Sequence, residues 1–211
     1  MRTLIDDLSN CRYSSWDLVR WYLSRIDDVN RQGSHPLHAV IEINPDALDI
    51  ANALDQERKM NGRRSLLHGI PLLIKDNIAT DDQMKTTAGT GVIILGKTSL
   101  TEWSNFKTEN LTRHGWSPRG GLPSSAYVAD GDPGGSSSGS AIATSAGLCA
   151  AALGTETCGS IISPASRANI VGLKPTVGLT SRSGVIPISY DHDSVGPMGK
   201  TVEDVALLLG R

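Results

Sequence analysis

Residues 131–163 read GDPGGSSSGSAIATSAGLCAAALGTETCGSIIS, a Gly/Ser turn, an Ala-rich run and a second Gly/Ser turn. Gly134, Gly135 and Gly139 allow backbone angles that a side chain disfavours, so Ser136, Ser137 and Ser138 are predicted on a sharp, exposed turn. Ser140 to Leu153 is mostly Ala, Ile and Leu without proline, which predicts a helix ended by Gly154. Thr155-Glu156-Thr157-Cys158-Gly159-Ser160 then carries another hydroxyl and a row of backbone N–H groups, expected to return near the first turn.

Upstream, Ser14-Ser15-Trp16-Asp17 has a hydroxyl with an acid three residues on, the start of a capped helix with Leu18, Trp21, Tyr22, Ile26 and Val29 on one face. His38–Ile43 predicts a short strand, and Pro45 opens a helix from Asp46 to about Met60 that turns Ala47, Ile50, Ala51 and Leu54 inward. Ile70–Ile74 predicts a strand ending in Lys75-Asp76-Asn77, and Val92–Leu95 predicts another. The Thr-, Gly- and Asp-rich residues between them have no helical period, although a parallel crossover usually contains a helix. A lysine closing a buried strand stands where α/β sheets build sites, or else lays its stem on the sheet and its ammonium in water. Thr101–Phe106 reads as a short helix and Asn110–Asp132 as a long Gly/Pro/Ser-rich loop. Downstream, Ala168–Thr176 predicts a strand, Val185–Ile188 is a short apolar run, and Thr201–Leu209 begins a capped helix. A helix opening so near Arg211 suggests a fragment.

With 211 residues and 39% hydrophobic content, the chain has enough apolar material for a packed core. Aromatic residues are only 4%, which leaves no platform for stacking bases, and the net charge of -2 with mixed signs argues against nucleic acid or a membrane surface as partner. A small-molecule partner is expected. Cys11, Cys149 and Cys158 are odd in number and lack metal-ligand spacing, so neither a disulfide framework nor a metal site is expected. The N-terminus lacks a basic, apolar leader, and a cytoplasmic protein is the expectation.

Three uses of the serines follow from the residues. Gly135-Ser136-Ser137-Ser138-Gly139 fits a nucleophile elbow with Ser137 as nucleophile and Asp191 or Asp193 and His192 as partners. No apolar strand leads into it, however. Ser104-Asn105-Phe106-Lys107 fits S-x-x-K, but its companion, nearest at Lys97-Thr98-Ser99, is in the wrong order. In the third use the two Gly/Ser turns act together. The bland alternative keeps the serines as helix caps.

The third reading carries a resemblance. Gly134-Gly135-Ser136-Ser137-Ser138-Gly139-Ser140, Gly154-Thr155-Glu156-Thr157-Cys158-Gly159-Ser160-Ile161 and Gly172-Leu173-Lys174-Pro175-Thr176 resemble the hallmark run of the amidase signature family. His68–Asn77, Thr86-Thr87-Ala88-Gly89, Leu95–Thr98 and Asp193–Met198 resemble its other landmarks, in order. The resemblance implies an α/β fold, a mixed sheet with helices on both faces. It also implies a Ser-cisSer-Lys triad of Ser160 as nucleophile, Ser136 as bridge and Lys75 as base. An oxyanion hole falls on N–H groups of Thr157, Cys158, Gly159 and Ser160, and Trp103 is expected to line the acyl pocket. The implied reaction is hydrolysis of a small-molecule amide through an acyl-enzyme, without cofactor or metal; self-association into a homo-oligomer is left open.

A free lysine is neutral in only about four molecules per ten thousand at pH 7, so burial must lower its pKa; about three units corresponds to roughly 4 kcal/mol. Two segments of the family pattern have no counterpart here: one between Gly89 and Val92, with the crossover helix, and the C-terminal part. Residues 1–211 are therefore expected to be a partial domain with an internal deletion near 89–92. Cys158 stands where the family often has Gly or Asp. Ile162 replaces a frequent Arg, so no carboxylate-bearing substrate is expected there. The alternatives are the A component of an aminoacyl-tRNA amidotransferase and a non-catalytic remnant that binds through an exposed sheet edge.

Overall fold

Apolar runs distributed over most of the sequence pair into one mixed sheet. The computed structural model describes residues 1–32, 34–80, 90–106 and 113–210. Its strands are β1 (Val40–Ile43), β2 (Pro71–Lys75), β3 (Ile93–Thr98), β4 (Ala151–Glu156), β5 (Val171–Gly172) and β6 (Ser194–Gly199), in the order β1-β3-β2-β4-β6-β5. β2 runs parallel to β3 and β4; β1, β6 and β5 pair antiparallel with their neighbours. The carboxyl ends of β2, β3 and β4 therefore lie along one rim, where an α/β sheet places its site. Thr86–Gly89, Lys107 and Asn110 lie outside the described residues, as does most of the expected crossover.

Helices α1 (Arg2–Ser9), α2 (Ser15–Arg25), α3 (Ala47–Asn61), α4 (Ser138–Ser145), α5 (Ile162–Arg167) and α6 (Val202–Leu209) cover the sheet. Neighbouring residues of a strand point to opposite faces. Leu73 packs with Ala47, Ala51 and Leu54 of α3 and Ile142 of α4, whereas Leu72 packs with Ile5 and Leu8 of α1 and Leu207 of α6. Both faces are thus covered, as expected.

The expected caps are present. Ser14 and Asp17 form a reciprocal capping box on α2, and Thr201 and Asp204 form another on α6. Trp21 departs from expectation: it is exposed, edge-on to Tyr13 with centroids 5.5 Å apart, because α2 turns Ser15, Leu18 and Val19 inward.

The largest correction falls on the Ala-rich run. The helix predicted over Ser140–Leu153 ends at Ser145, Gly147 takes φ 70°, and Ala151–Glu156 is the strand β4, with Gly154 inside it. Alanine favours helix by a few tenths of a kcal/mol per residue, which is small beside pairing with β2 on one side and β6 on the other. Small side chains also suit a strand buried on both faces. Of the strand expected over Ala168–Thr176 only Val171–Gly172 is strand, with Leu173 N–H extending the contact to the Pro197 carbonyl at 3.1 Å, since Ala168 closes α5 and Pro175 offers no N–H donor. Three elements lie outside the sequence expectations: the strand β6, which holds Gly196 and Pro197, and the helices α1 and α5.

Candidate active site

β2 delivers Lys75 to the rim with its side chain fully buried, 0% exposed. Its Nζ lies 2.7 Å from Ser136 Oγ, 2.9 Å from Thr155 Oγ1 and 3.3 Å from the Thr155 carbonyl. Burial pushes the amine down from its usual value to about 7, partly opposed by the negative charges of Glu156 and Asp193. Close to neutral pH a large share of Lys75 is uncharged, with a lone pair able to accept the Ser136 proton across the 2.7 Å contact.

The first turn is wedged into the rim by its glycines. A Cβ on Gly135 would fall 2.4 Å from Thr101 Oγ1, and one on Gly139 would fall 2.4 Å from the Ala39 carbonyl and the Ser99 nitrogen. The Gly135–Ser136 peptide is cis. The expectation of an exposed turn is corrected here: Ser136, Ser137 and Ser138 are all buried. Ser137 Oγ donates to the Thr155 carbonyl at 3.1 Å, Ser138 Oγ to the Gly134 carbonyl, and Ser140 Oγ to the Leu153 carbonyl at 3.0 Å. These three hydroxyls tie the turn to its surroundings, while Ser136 faces the amine. The elbow reading fails on the same geometry, since Ser137 is engaged with Thr155 and His192 sits on the surface, 2.9 Å from Ser189.

The second turn follows β4. Glu156, buried, accepts the N–H groups of Gly159 at 2.7 Å, Ile161 at 2.7 Å and Ile162 at 2.9 Å. That carboxylate shapes the turn and consumes one of the four N–H groups assigned to the oxyanion hole, that of Gly159. The N–H groups of Cys158 and Ser160 have no protein acceptor among the described residues. The turns meet through Ser137 N–H and the Ser160 carbonyl, 3.0 Å apart. No side-chain hydrogen bond joins Ser160 to Ser136 among the described residues, so Ser160 is brought beside the Lys75–Ser136 pair by backbone. The Cys158 thiol is exposed, and Ile162 is exposed at the start of α5. Glu156→Gln, which keeps the size but halves the acceptors, is expected to lower stability by about 2–4 kcal/mol, measured as a shifted denaturant midpoint.

Further groups outside the sequence-predicted set belong to this constellation. Thr155 Oγ1 accepts from Lys75 and from Asn77 Nδ2, the latter at 3.0 Å. Asp193 accepts from Thr157 Oγ1 and from the N–H groups of Ile188 at 2.7 Å and Ser189 at 3.0 Å. Those bonds hold its carboxyl below the usual range, against the opposing effect of burial. Lys75-Asp76-Asn77 carried a signal, because strand ends in an α/β sheet converge, whereas Thr155-Glu156-Thr157 carried none of that kind, its strand reading as a helix in sequence. Trp103 lies in the turn Glu102–Asn105, about half exposed, with φ 45°. Among the described residues no cluster of His, Cys, Asp and Glu is arranged to hold a metal, and no helix is long and apolar enough to cross a membrane.

The family model described as Amidase matches residues 17–90 and 88–210 of this chain. A relative from Arthroderma benhamiae, named as an amidase, is 49% identical over 213 aligned residues that cover 91% of this chain and 35% of that protein. One from Arabidopsis thaliana, also named as an amidase, is 47% identical, covering 94% and 42%. The native peptide amidase from Stenotrophomonas maltophilia superposes with a TM-score of 0.93 at 44% identity, over 98% of this chain and 46% of that one. An amidase family protein from Bacillus anthracis gives 0.91 at 36%, over 98% and 45%. The chain thus spans less than half the length of these relatives.

Proposed function

This chain belongs to the amidase signature family, and from that premise we propose that it hydrolyses linear amides through an acyl-enzyme on Ser160. The observation that carries the reading is the 2.7 Å contact between Ser136 Oγ and an amine whose pKa is lowered to about 7. A serine hydroxyl is too weak an attacker without a base, and an uncharged Lys75 supplies one. Ser136 passes its proton to Lys75 Nζ as it takes the proton of Ser160 Oγ. The Ser160 oxygen then bonds the amide carbon.

The developing oxyanion is received by the open N–H groups of Cys158 and Ser160, each such donor being worth about 3 kcal/mol in acyl transfer. As the C–N bond breaks, the proton returns through Ser136 to the leaving nitrogen. Water attacks the ester by the same relay and frees the acid and Ser160.

The similarity to a peptide amidase supports a peptide-type amide as substrate. Relatives named as the A component of glutamyl-tRNA(Gln) amidotransferase are less similar, 37% identical in the case of Prochlorococcus marinus, against 49% and 47% for those named as amidases. Ammonia release from N-acetyl peptide amides, with glutamine as the control, tests the reading. Release from the peptide amides is expected. Release from glutamine alone, dependent on added partner proteins, would assign the amidotransferase role. A folded sample silent to both, and to a fluorophosphonate probe, would leave the non-catalytic remnant.

A further inference from the structure

We propose that a narrow slot beside Ser194 binds one internal water, held among Ser194, Asp193 and Asn77 and linked through Asn77 and Thr155 to the Lys75 amine. The inference goes beyond the amide-hydrolase reading and does not rest on it, because it concerns how buried polar groups are satisfied, whatever reaction they serve.

The observation that carries it is Ser194 itself. This residue opens β6 opposite Glu156 of β4, is 2% exposed, and its Oγ has no hydrogen-bond partner among the described residues. A buried hydroxyl without a partner costs free energy, and in native proteins such groups are met by protein or by ordered water. The backbone pairing of β6 asks nothing of the side chain, so alanine would fit there without that cost.

The slot that Ser194 lines has a volume of about 10 Å³, and its wall includes Asn77, Thr155, Thr157 and Asp193. A single water needs roughly 10–15 Å³ and about two to four polar partners. Nothing larger fits. Asp193 Oδ2 already accepts from the N–H groups of Ile188 and Ser189, whereas Oδ1 accepts from the Thr157 hydroxyl alone among the described residues. Asn77 Nδ2 gives one N–H to Thr155 Oγ1 and has a second to offer. A water that accepts from Ser194 Oγ and Asn77 Nδ2 and donates to Asp193 Oδ1 satisfies all three. Asp193 also feels the positive charge of Arg182, on the same wall, so the site suits a neutral occupant rather than a cation.

The link to the candidate active site is short. Thr155 Oγ1 accepts from Asn77 at 3.0 Å and from Lys75 Nζ at 2.9 Å. The water thus ends a hydrogen-bonded chain that begins at an amine with no exposed surface.

Two measurements on the full chain test this, and neither needs turnover. A crystal structure should show one density peak within hydrogen-bond distance of both Ser194 Oγ and Asp193 Oδ1. The second measurement is the sign of a stability change. Were the slot dry, Ser194→Ala would remove a buried unsatisfied group and raise the denaturant midpoint. With a bound water the same substitution removes one of its partners, and the midpoint should fall. Ser194→Val, whose methyl groups displace the water without replacing its bonds, should lower the midpoint further and erase the peak. An empty slot in the crystal, a protein group bonded to Ser194 Oγ in its place, or a midpoint that holds or rises in either variant overturns the proposal. Failure of the hydrolase reading changes none of these outcomes.

Discussion

Lys75→Met is expected to lower amide turnover by about 10³-fold or more, because the substitution keeps the buried stem and removes the amine in contact with Ser136. In the unsubstituted chain kcat/KM should rise with pH through about 7, as the amine loses its proton. The same residue makes stability depend on pH. Its folded pKa is depressed from 10.5 to about 7, so between those values the unfolded chain holds a proton that the folded chain has shed. The free energy of unfolding therefore increases as pH rises through this window, and the whole effect is on the order of 5 kcal/mol. It is best measured between pH 7 and 9. Above that range Cys149, pushed up to about 12 by burial, acts in the opposite direction. The rise in unfolding midpoint should flatten in Lys75→Met, and a slope identical to that of the unsubstituted chain would show that Lys75 is not a depressed amine.

Ser160→Ala should remove turnover by at least about 10⁴-fold and abolish covalent labelling by a fluorophosphonate, with mass shift on the peptide carrying residue 160 as the readout. Its effect on stability should be small, within about 0.5 kcal/mol. The hydroxyl makes no side-chain hydrogen bond among the described residues, and the Ser137 N–H bond is to the Ser160 backbone carbonyl, which alanine retains. Retained turnover in a folded Ser160→Ala sample would remove this serine from the role of nucleophile.

The two predictions draw on different levels of the molecule. Ser160 was legible from its place in a Gly/Ser turn and from a resemblance spread over most of the chain. The neutrality of Lys75 was only an expectation that burial would have to meet. Glu156 shows the limit of reading residues singly. In sequence it is an incidental acid in a turn, yet it gathers three N–H groups and leaves two others open. The three neighbouring serines show the converse, since sequence offered them as equivalent hydroxyls on an exposed turn. Packing buries all of them and assigns Ser137 and Ser138 to carbonyls.

What the amino-acid sequence determined by itself is what depends on near neighbours: the capping boxes of Ser14 with Asp17 and Thr201 with Asp204, the helix from Ala47, and the sharp glycine turns. The apolar runs of β1, β2 and β3 and the α/β class were also legible, because their patterns are local. Tertiary structure alone decided that Ala151–Glu156 is a strand, since its hydrogen-bond partners lie near residues 72 and 198, far along the chain in both directions. It alone decided the chemistry of Lys75, because desolvation is a property of everything packed around an amine and of no single residue beside it.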